Sequence, residues 1–237
     1  MIRLRLHFSK IGKIRFISHR DMARIWERAF RRAEIGVAYS EGFSPRPKFS
    51  FGLALATGYE SEAEYLDVDL NGHVDLNKED CVDGLCKRLK AVLPEGIDLL
   101  AVGVVDRSLG SLQQVVDICT WHIEIDGITK NKLAKWVHEV LSSNELVVQR
   151  ERKGKLVNDD IRPQIVSLEN IEEVSNGVRL VADLATKPRA LRPSELLTAV
   201  DPPLEAHKVR RISQWVLQGK ERIEPLTFAN FSPLLAE

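Results

Sequence analysis

The feature that most constrains the fold is the order in which strand-like and helix-like patterns of apolar residues follow one another along the chain. Residues 2–8 alternate apolar and charged side chains, which predicts a strand with one buried face. Residues 22–33 then repeat apolar side chains at the spacing of one helix face. Strand patterns over 49–56 and 63–70, a helix over 78–92 and a strand over 97–105 follow. This strand–helix–strand–strand–helix–strand order is that of a ferredoxin-like (βαββαβ) fold.

The second half of the chain repeats this order of elements without repeating the residues. The patterns predict two helices, over 129–141 and 193–200, and a loop over 153–160; the predicted strands are 115–125, 145–152, 162–168, 178–185 and 209–217. The sequence therefore predicts an α+β protein built as a pseudo-duplication of two ferredoxin-like halves, with domains over 1–110 and 111–237.

The helix after residue 18 is the best-defined element. Ser18 stands where an N-cap residue is expected, Asp21 follows three residues later, and Gly36 is expected to end the helix. The face opposite the apolar stripe carries five arginines: Arg20, Arg24, Arg28, Arg31 and Arg32. We expect this basic face to be exposed to solvent.

Charge is unevenly distributed along the chain. The formal net charge is zero, yet residues 1–50 hold 12 Lys and Arg against 4 Asp and Glu, whereas residues 51–110 hold 5 against 12. A basic block joined to an acidic one indicates an anionic partner, although the net charge alone would not.

Composition narrows the class of protein. With 44% hydrophobic and 29% charged residues, the chain can bury a core. No apolar run has the length of a membrane-spanning helix, and no signal-peptide pattern follows Met1. Cys81, Cys86 and Cys119 are not spaced as metal ligands and are expected to be reduced thiols. We therefore expect a cytoplasmic protein with no metal or cofactor of its own.

The first candidate site is the segment of Ser18, His19, Arg20 and Asp21. His19 and Asp21 are candidates for an acid–base pair, and His19 and Arg20 for phosphate binding at the helix N-terminus. Alternatively, Ser18 and Asp21 only cap the helix, and this is the role that we expect for Asp21. Capping does not exclude phosphate binding by His19 and Arg20.

The second candidate is the loop over 41–48, which contains Pro45, Arg46, Pro47 and Lys48. The two prolines fix backbone torsions on both sides of Arg46. A stiff loop with two cations and neighbouring phenylalanines suits a phosphate or nucleobase contact. The alternative is an ordinary proline-rich connection.

The third candidate is the basic segment over 150–155 with the segment that follows it. Arg152, Lys155 and Arg162 are candidate phosphate ligands, although such a tip is often only a solvated turn. Asp160 and Arg162 are expected to pair in an ordered loop.

Nucleotide-binding and catalytic motifs are absent from the sequence. It contains no Gly-rich phosphate loop, no HExxH, no Gly-x-Ser-x-Gly and no three-cysteine iron–sulfur motif. Any chemistry that this chain performs alone is expected to be metal-free acid–base chemistry.

Residues 8–21 (FSKIGKIRFISHRD) and 39–47 (YSEGFSPRP), with 50–52 and 62–67, resemble the opening of the radical-SAM-associated protein family of uncharacterised function. Beyond residue 70 the resemblance thins to positions such as 160–163. It implies a radical-SAM partner that carries the iron–sulfur cluster and S-adenosylmethionine, and it brings no established catalytic residue. Tyr39 and Ser44, inside the second motif, join the candidate phosphate-binding residues. Arg20 departs from the apolar residue expected at its position.

Together these features favour an accessory binding protein that presents RNA or another phosphate-bearing substrate to a radical-SAM enzyme. Because the chain carries no cofactor or metal motif, we favour a binding protein over an enzyme that acts alone. Two alternatives remain open. One is a metal-independent RNA-processing or RNA-modifying enzyme that uses His19 or Asp21. The other is a scaffold whose basic helix face binds an acidic protein surface.

Overall fold

The computed structural model describes residues 2–71, 79–152 and 154–231, and the chain forms two compact units. The first unit comprises Met1–Val116 and the segment that begins at Trp215, and the second is Asp117–Gln214. The protein is α+β, with mostly antiparallel strands and six α-helices in the part that the structure describes. The sequence predicted a division at residue 110; here the chain returns to the first unit after residue 214.

The elements up to residue 116 follow the predicted order. They are β1 (Ile2–Lys10), a 3-10 turn (Gly12–Phe16), α1 (His19–Arg32), β2 (Phe49–Phe51), β3 (Glu60–Leu70), α2 (Glu79–Lys90), β4 (Leu99–Val105) and a short α3 (Leu112–Val115). Only the first three residues of the predicted strand over 49–56 form β2. Lys78, the predicted first residue of α2, lies outside the described residues.

The remaining elements include three that the sequence patterns did not predict. They are β5 (Ile118–Asp126), α4 (Lys130–Ser142), β6 (Val147–Arg152), β7 (Lys155–Asp160), a 3-10 turn (Arg162–Gln164), β8 (Ile165–Val174), β9 (Gly177–Ala185), α5 (Pro193–Leu197), β10 (Ala206–Gln218), β11 (Glu221–Ile223) and α6 (Pro225–Phe231). Of these, β7, β11 and α6 were not predicted, and neither was α3 in the preceding group.

In the first unit, β1 lies between β3 and β4 and is antiparallel to both, and β2 pairs with the other edge of β3. One face of this sheet carries Leu4, Leu6 and Phe8, which pack with the apolar stripe of α1 in a buried core. The buried face predicted for β1 and the apolar face predicted for α1 thus pack against each other. No helix among the described residues is long and apolar enough to cross a bilayer.

The second face of β1 is also covered, which corrects the prediction of a single buried face. Arg5, on that face, is only 1% exposed. Its Nη1 donates to the carbonyl oxygen of Pro225 at 3.0 Å, and α6, which begins at Pro225, packs on β1 and β4. The alternating pattern of β1 distinguishes its two faces, but both are buried because α6 covers the face that carries Arg5.

The start of α1 agrees with the prediction, and its end does not. The Oγ of Ser18 accepts a hydrogen bond from the backbone N–H of Asp21, so Ser18 is the N-cap. At the other end Glu34, and not Gly36, has the left-handed backbone, with φ of 56°. The N–H of Ile35 donates to the carbonyl of Phe30 across this turn, so the helix ends at Arg32.

The second unit contains a sheet in the order β10-β5-β9-β8, to which β10 contributes its residues before Trp215. Among the described residues, β6 and β7 form a two-stranded sheet of their own, as a hairpin. The predicted loop over 153–160 is therefore wrong, because residues 155–160 form β7; Lys153 lies outside the described residues. The predicted strand over 162–168 begins three residues later, after the 3-10 turn.

Candidate ligand-binding cleft

An open cleft of about 660 Å³ in the first unit brings together residues from α1 and from the segment that leads into β2. The helix side is formed by His19, Arg20, Ala23, Arg24 and Glu27. The opposite side is formed by Arg46, Pro47, Phe49 and Phe51. Two of the three sequence-predicted segments, which are far apart in the chain, thus face each other.

The capping of α1 positions the helix side. Because Ser18 is the N-cap, His19 and Arg20 occupy the first two helical positions. The Oγ of Ser18 donates to Asp21 Oδ2 at 2.7 Å, and Arg24 Nη1 donates to Asp21 Oδ1 at 3.1 Å. These contacts, the serine first, lower the pKa of Asp21 below its usual value. Asp21 is therefore a stabilised carboxylate in the cap, and it does not line the cleft.

Backbone hydrogen bonds hold the loop over 41–48 at its base. Ser40 and Arg46 are joined twice, by the Ser40 N–H to the Arg46 carbonyl at 2.8 Å and by the Arg46 N–H to Ser40 Oγ at 3.0 Å. The Lys48 N–H donates to the Ala38 carbonyl at 2.8 Å, and Tyr39 pairs with Pro47 in an isolated bridge. The backbone of Arg46 is thus fixed, whereas its side chain is exposed.

The floor of the cleft is aromatic. The rings of His19 and Phe51 meet edge to face with centroids 4.8 Å apart. The ring centroids of Phe51 and Phe49 are 6.4 Å apart, and those of Phe49 and the buried Phe30 of α1 are 5.6 Å apart. Pairing of β2 with β3 fixes both phenylalanines, which lie opposite Leu66 and Val68. Since the floor is continuous with the core, it is a rigid apolar surface.

The lining of the cleft is positively charged. It carries the three guanidinium groups of Arg20, Arg24 and Arg46 and one carboxylate, that of Glu27. Arg24 forms a salt bridge with Asp21 at 3.1 Å. Among the described residues, no salt bridge joins Arg20 or Arg46 to another side chain. The cleft therefore presents two exposed arginines next to an apolar floor.

Of the predicted site residues in the first unit, the structure brings His19, Arg20 and Arg46 together. Tyr39 is 46% exposed and borders the cleft only through its bridge to Pro47. Ser44 is exposed near the tip of the loop. Lys48 is exposed outside the cleft lining, and its charge acts on Asp69.

Of the predicted site residues in the second unit, Lys155 and Arg162 have described side chains, and neither lines this cleft. The side chain of Arg152, the last residue of β6, lies outside what the structure describes. Lys155 is exposed at the start of β7. Arg162 donates to the carbonyl oxygens of Leu141 at 2.9 Å and Ser143 at 3.2 Å, so it closes the C-terminal end of α4. Asp160 accepts the backbone N–H of Arg162 at 2.9 Å, so the expected pairing is to the amide and not to the guanidinium.

Among the charged and aromatic residues of the cleft, three were not predicted as site residues from the sequence: Arg24, Glu27 and Phe51. Helical periodicity could have identified the first two, because positions four and eight residues after His19 and Arg20 lie near the same helix face. Phe51 carried no such signal, since only the pairing of β2 with β3 turns it toward the cleft.

The arrangement suits binding more directly than proton transfer. Among the described residues, no hydrogen bond joins His19 to Asp21, and the lowered pKa of Asp21 weakens it as a base. In the described ranges, no group of three His, Cys, Asp or Glu side chains is placed to hold a metal ion. Neither Cys86 nor Cys119 forms a disulfide among the described residues, and the side chain of Cys81 lies outside them.

The model of the family described as an uncharacterized protein conserved in bacteria (DUF2344) matches residues 3–193. No curated protein matches the chain. Among solved structures, the crystal structure of a Cbf5-Nop10-Gar1 complex is similar at a TM-score of 0.46 and 9% identity, over 89% of this chain and 48% of that one. The chain thus spans about half the length of that solved chain. Because the family model covers most of the sequence, the chain belongs to this uncharacterized bacterial family.

Proposed function

We propose that this member of the family is an accessory binding protein that holds a phosphate-bearing ligand, RNA foremost, in the cleft beside α1. The observation that carries the proposal is the convergence of Arg20, Arg24 and Arg46 on an aromatic floor. A planar guanidinium donates two parallel hydrogen bonds to a phosphate, which a solvated lysine does not. The two hydrogen bonds that fix the Arg46 backbone to Ser40 reduce the freedom that Arg46 loses on binding.

The floor supports a nucleotide over a bare phosphate. Phe51 and His19 offer an aromatic surface on which a base can stack, and stacking of this kind tolerates any sequence. Glu27 repels a phosphate placed close to it, but its carboxylate can accept hydrogen bonds from a sugar hydroxyl or a base amine. We therefore place the phosphate between Arg20 and Arg46, and the base over Phe51.

We also propose that the two units are ferredoxin-like and arose as a pseudo-duplication. The order β4-β1-β3-β2 in the first unit corresponds to β10-β5-β9-β8 in the second, strand for strand along the chain. In this proposal the β6–β7 hairpin is an insertion after α4. Sheets with this order of elements often bind single-stranded RNA.

The partner that we propose is a radical-SAM protein, and the resemblance over residues 1–70 supports it. The iron–sulfur cluster and S-adenosylmethionine would belong to that partner. We also place the protein in the cytoplasm, because its three cysteines are not spaced as a disulfide framework.

The proposal is tested by titrating the purified chain with host RNA and with uridine monophosphate over a series of salt concentrations. We expect log affinity to fall linearly with log salt. Arg46→Ala should weaken binding by roughly 10- to 100-fold, as for a bidentate charged contact of about 1–3 kcal/mol. Arg31→Ala is the matched control, because Arg31 is exposed on the same α1 helix and does not line the cleft.

Three outcomes would contradict the proposal. If neither ligand binds at low salt, the cleft is not a phosphate site. If Arg46→Ala lowers the melting temperature while binding per folded molecule stays intact, the arginine is a structural strut. If the purified chain converts RNA and His19→Ala abolishes the conversion, the protein is the RNA-processing enzyme of the first alternative.

A further inference from the structure

A second cleft, of about 400 Å³, lies on another side of the same helix and has no role in the proposed function. Ile25, Val92, Leu93 and Pro94 contribute apolar surface to it, and Arg28 and Arg32 add two exposed guanidinium groups. Like the first cleft, it therefore combines arginines with an apolar surface.

A row of arginines along α1 connects the two clefts. Arg20 and Arg24 line the first, and Arg28 and Arg32 line the second. Consecutive members are four residues apart, so each step rises about 6 Å and turns about 40° beyond one full turn. The row therefore crosses the helix surface obliquely from one cleft to the other, over roughly 18 Å.

The row is electrostatically unfavourable on its own. Each neighbouring pair in it is a like-charged pair at i,i+4, which destabilises a helix. Asp21 compensates Arg24. In the described part of the chain, no salt bridge neutralises Arg20, Arg28 or Arg32. A ligand with regularly spaced negative charges would relieve this repulsion.

We propose that a single-stranded nucleic acid crosses α1 along this row, with one base in each cleft and its phosphates on the arginines of the row. The inference rests on the proposed function, because it extends the ligand of the first cleft. A mononucleotide is too short to reach both clefts. A duplex keeps its bases stacked and paired, whereas an unpaired strand can place them on apolar surfaces.

The experiment measures binding of fluorescently labelled oligouridylates of one, three, six and twelve nucleotides, and of oligothymidylates of the same lengths. The test variant is the double substitution Arg28→Ala with Arg32→Ala. The matched control is Arg31→Ala with Lys87→Ala, which removes the same charge from exposed positions of the first unit that line neither cleft. Polyglutamate of similar charge is the third ligand.

We expect the twelve-nucleotide strand to bind the unaltered protein at least about tenfold more tightly than the mononucleotide, since several phosphates are neutralised together. The Arg28 and Arg32 variant should lose about tenfold in affinity for the long strand, with a salt slope smaller by about two. Its affinity for the mononucleotide should change less than about twofold, because that ligand occupies only the first cleft. Stronger binding of oligouridylates than of oligothymidylates would identify the strand as RNA.

Four results would overturn the inference, and they separate it from the proposed function. If the mononucleotide binds but length adds no affinity, the second cleft is not part of the site, and the proposed function stands. If the control variant loses as much as the test variant, the row acts only as diffuse charge. If polyglutamate competes as well as the long strand, the surface binds an acidic protein. If no ligand binds, both proposals fail.

Discussion

Arg5 of β1 and Asp67 of β3 form a two-fold hydrogen-bonded ion pair inside the first unit. Nε of Arg5 lies 2.7 Å from Oδ1 of Asp67, and Nη2 lies 2.8 Å from Oδ2. The two side chains are only 1% and 4% exposed. Because the remaining Nη1 donates to the Pro225 carbonyl, this pair also attaches the C-terminal helix α6 to the sheet.

Breaking this pair from one side should be strongly destabilising. Asp67→Ala leaves the guanidinium of Arg5 buried without its counter-charge, and we expect a loss of about 3–5 kcal/mol in the free energy of unfolding. The measurement is urea denaturation. The double change Arg5→Met with Asp67→Leu serves as the control and should cost much less, because no uncompensated charge is left. A loss below about 1 kcal/mol in Asp67→Ala would show that water reaches the pair.

Asp69, two residues along β3, should make stability depend on acid pH. Burial alone raises its pKa, but the hydrogen bond from Arg3 and the charges of Arg3, Arg107 and Lys48 outweigh burial and lower the pKa overall. A lowered folded-state pKa contributes stability above the unfolded value of about 3.9. That stability is lost as the pH falls through the folded-state value.

The test compares unfolding free energies of the unaltered protein and Asp69→Asn between about pH 7 and pH 2, the range that spans carboxylate titration. The variant should be less stable at neutral pH, and its stability should fall less steeply in acid. Parallel curves for the two proteins would mean that Asp69 has the same pKa in both states.

The sequence was sufficient for the start and the two faces of α1, and it named part of the lining of the candidate cleft. The helical period, the Ser18 cap and the arginine face are local features, so short-range physics determines them. His19, Arg20 and Arg46 were selected because cations near a helix start and in a proline-stiffened loop are unusual. That their segments face each other follows only from the packing of α1 on the sheet.

Other features depend on contacts between distant residues and could not be predicted. The alternation of β1 shows that Arg5 shares a face with Arg3, but not that α6 covers that face. The strand β7 contains polar and acidic residues that disfavour strands, and its pairing with β6 overrides this preference. In the sequence, Arg162 could not be distinguished from other cations near a basic turn. Only the fold shows that its guanidinium donates to carbonyl oxygens at the end of α4.

Arg162 should therefore act on stability and not on ligand binding. Arg162→Ala removes its hydrogen bonds to the carbonyls of Leu141 and Ser143, and we expect it to cost about 1–3 kcal/mol. The measurement is a thermal melt paired with an RNA titration. Lys155→Ala is the control, because Lys155 is exposed and should leave the melt almost unchanged. Reduced RNA affinity at an unchanged melting temperature would return Arg162 to the binding site.

Replacing Arg28 should raise the stability of the protein, whereas replacing Arg162 should lower it. Arg28 has like-charged neighbours four residues away on both sides, Arg24 and Arg32, and alanine is the best helix former. Arg28→Ala should therefore stabilise the protein by about 0.2–0.5 kcal/mol per relieved pair at low salt. Urea denaturation at low and high salt measures this, and the gain should shrink as salt screens the charges. A destabilised variant would reveal a structural contact of Arg28.

The adjacent residues Ser18 and His19 should separate folding from binding. Ser18 is the N-cap of α1, so Ser18→Ala should lower the free energy of unfolding by about 1 kcal/mol. Binding per folded molecule should be unaffected, because Ser18 does not line the cleft.

His19 is exposed and contacts the floor of the cleft at Phe51, so His19→Ala should weaken nucleotide binding several-fold with little effect on the melt. Both variants are measured by calorimetric melting and by uridine monophosphate titration. If Ser18→Ala abolishes binding while the protein stays folded, the helix start itself contacts the ligand; if His19→Ala changes neither quantity, the base does not stack at Phe51.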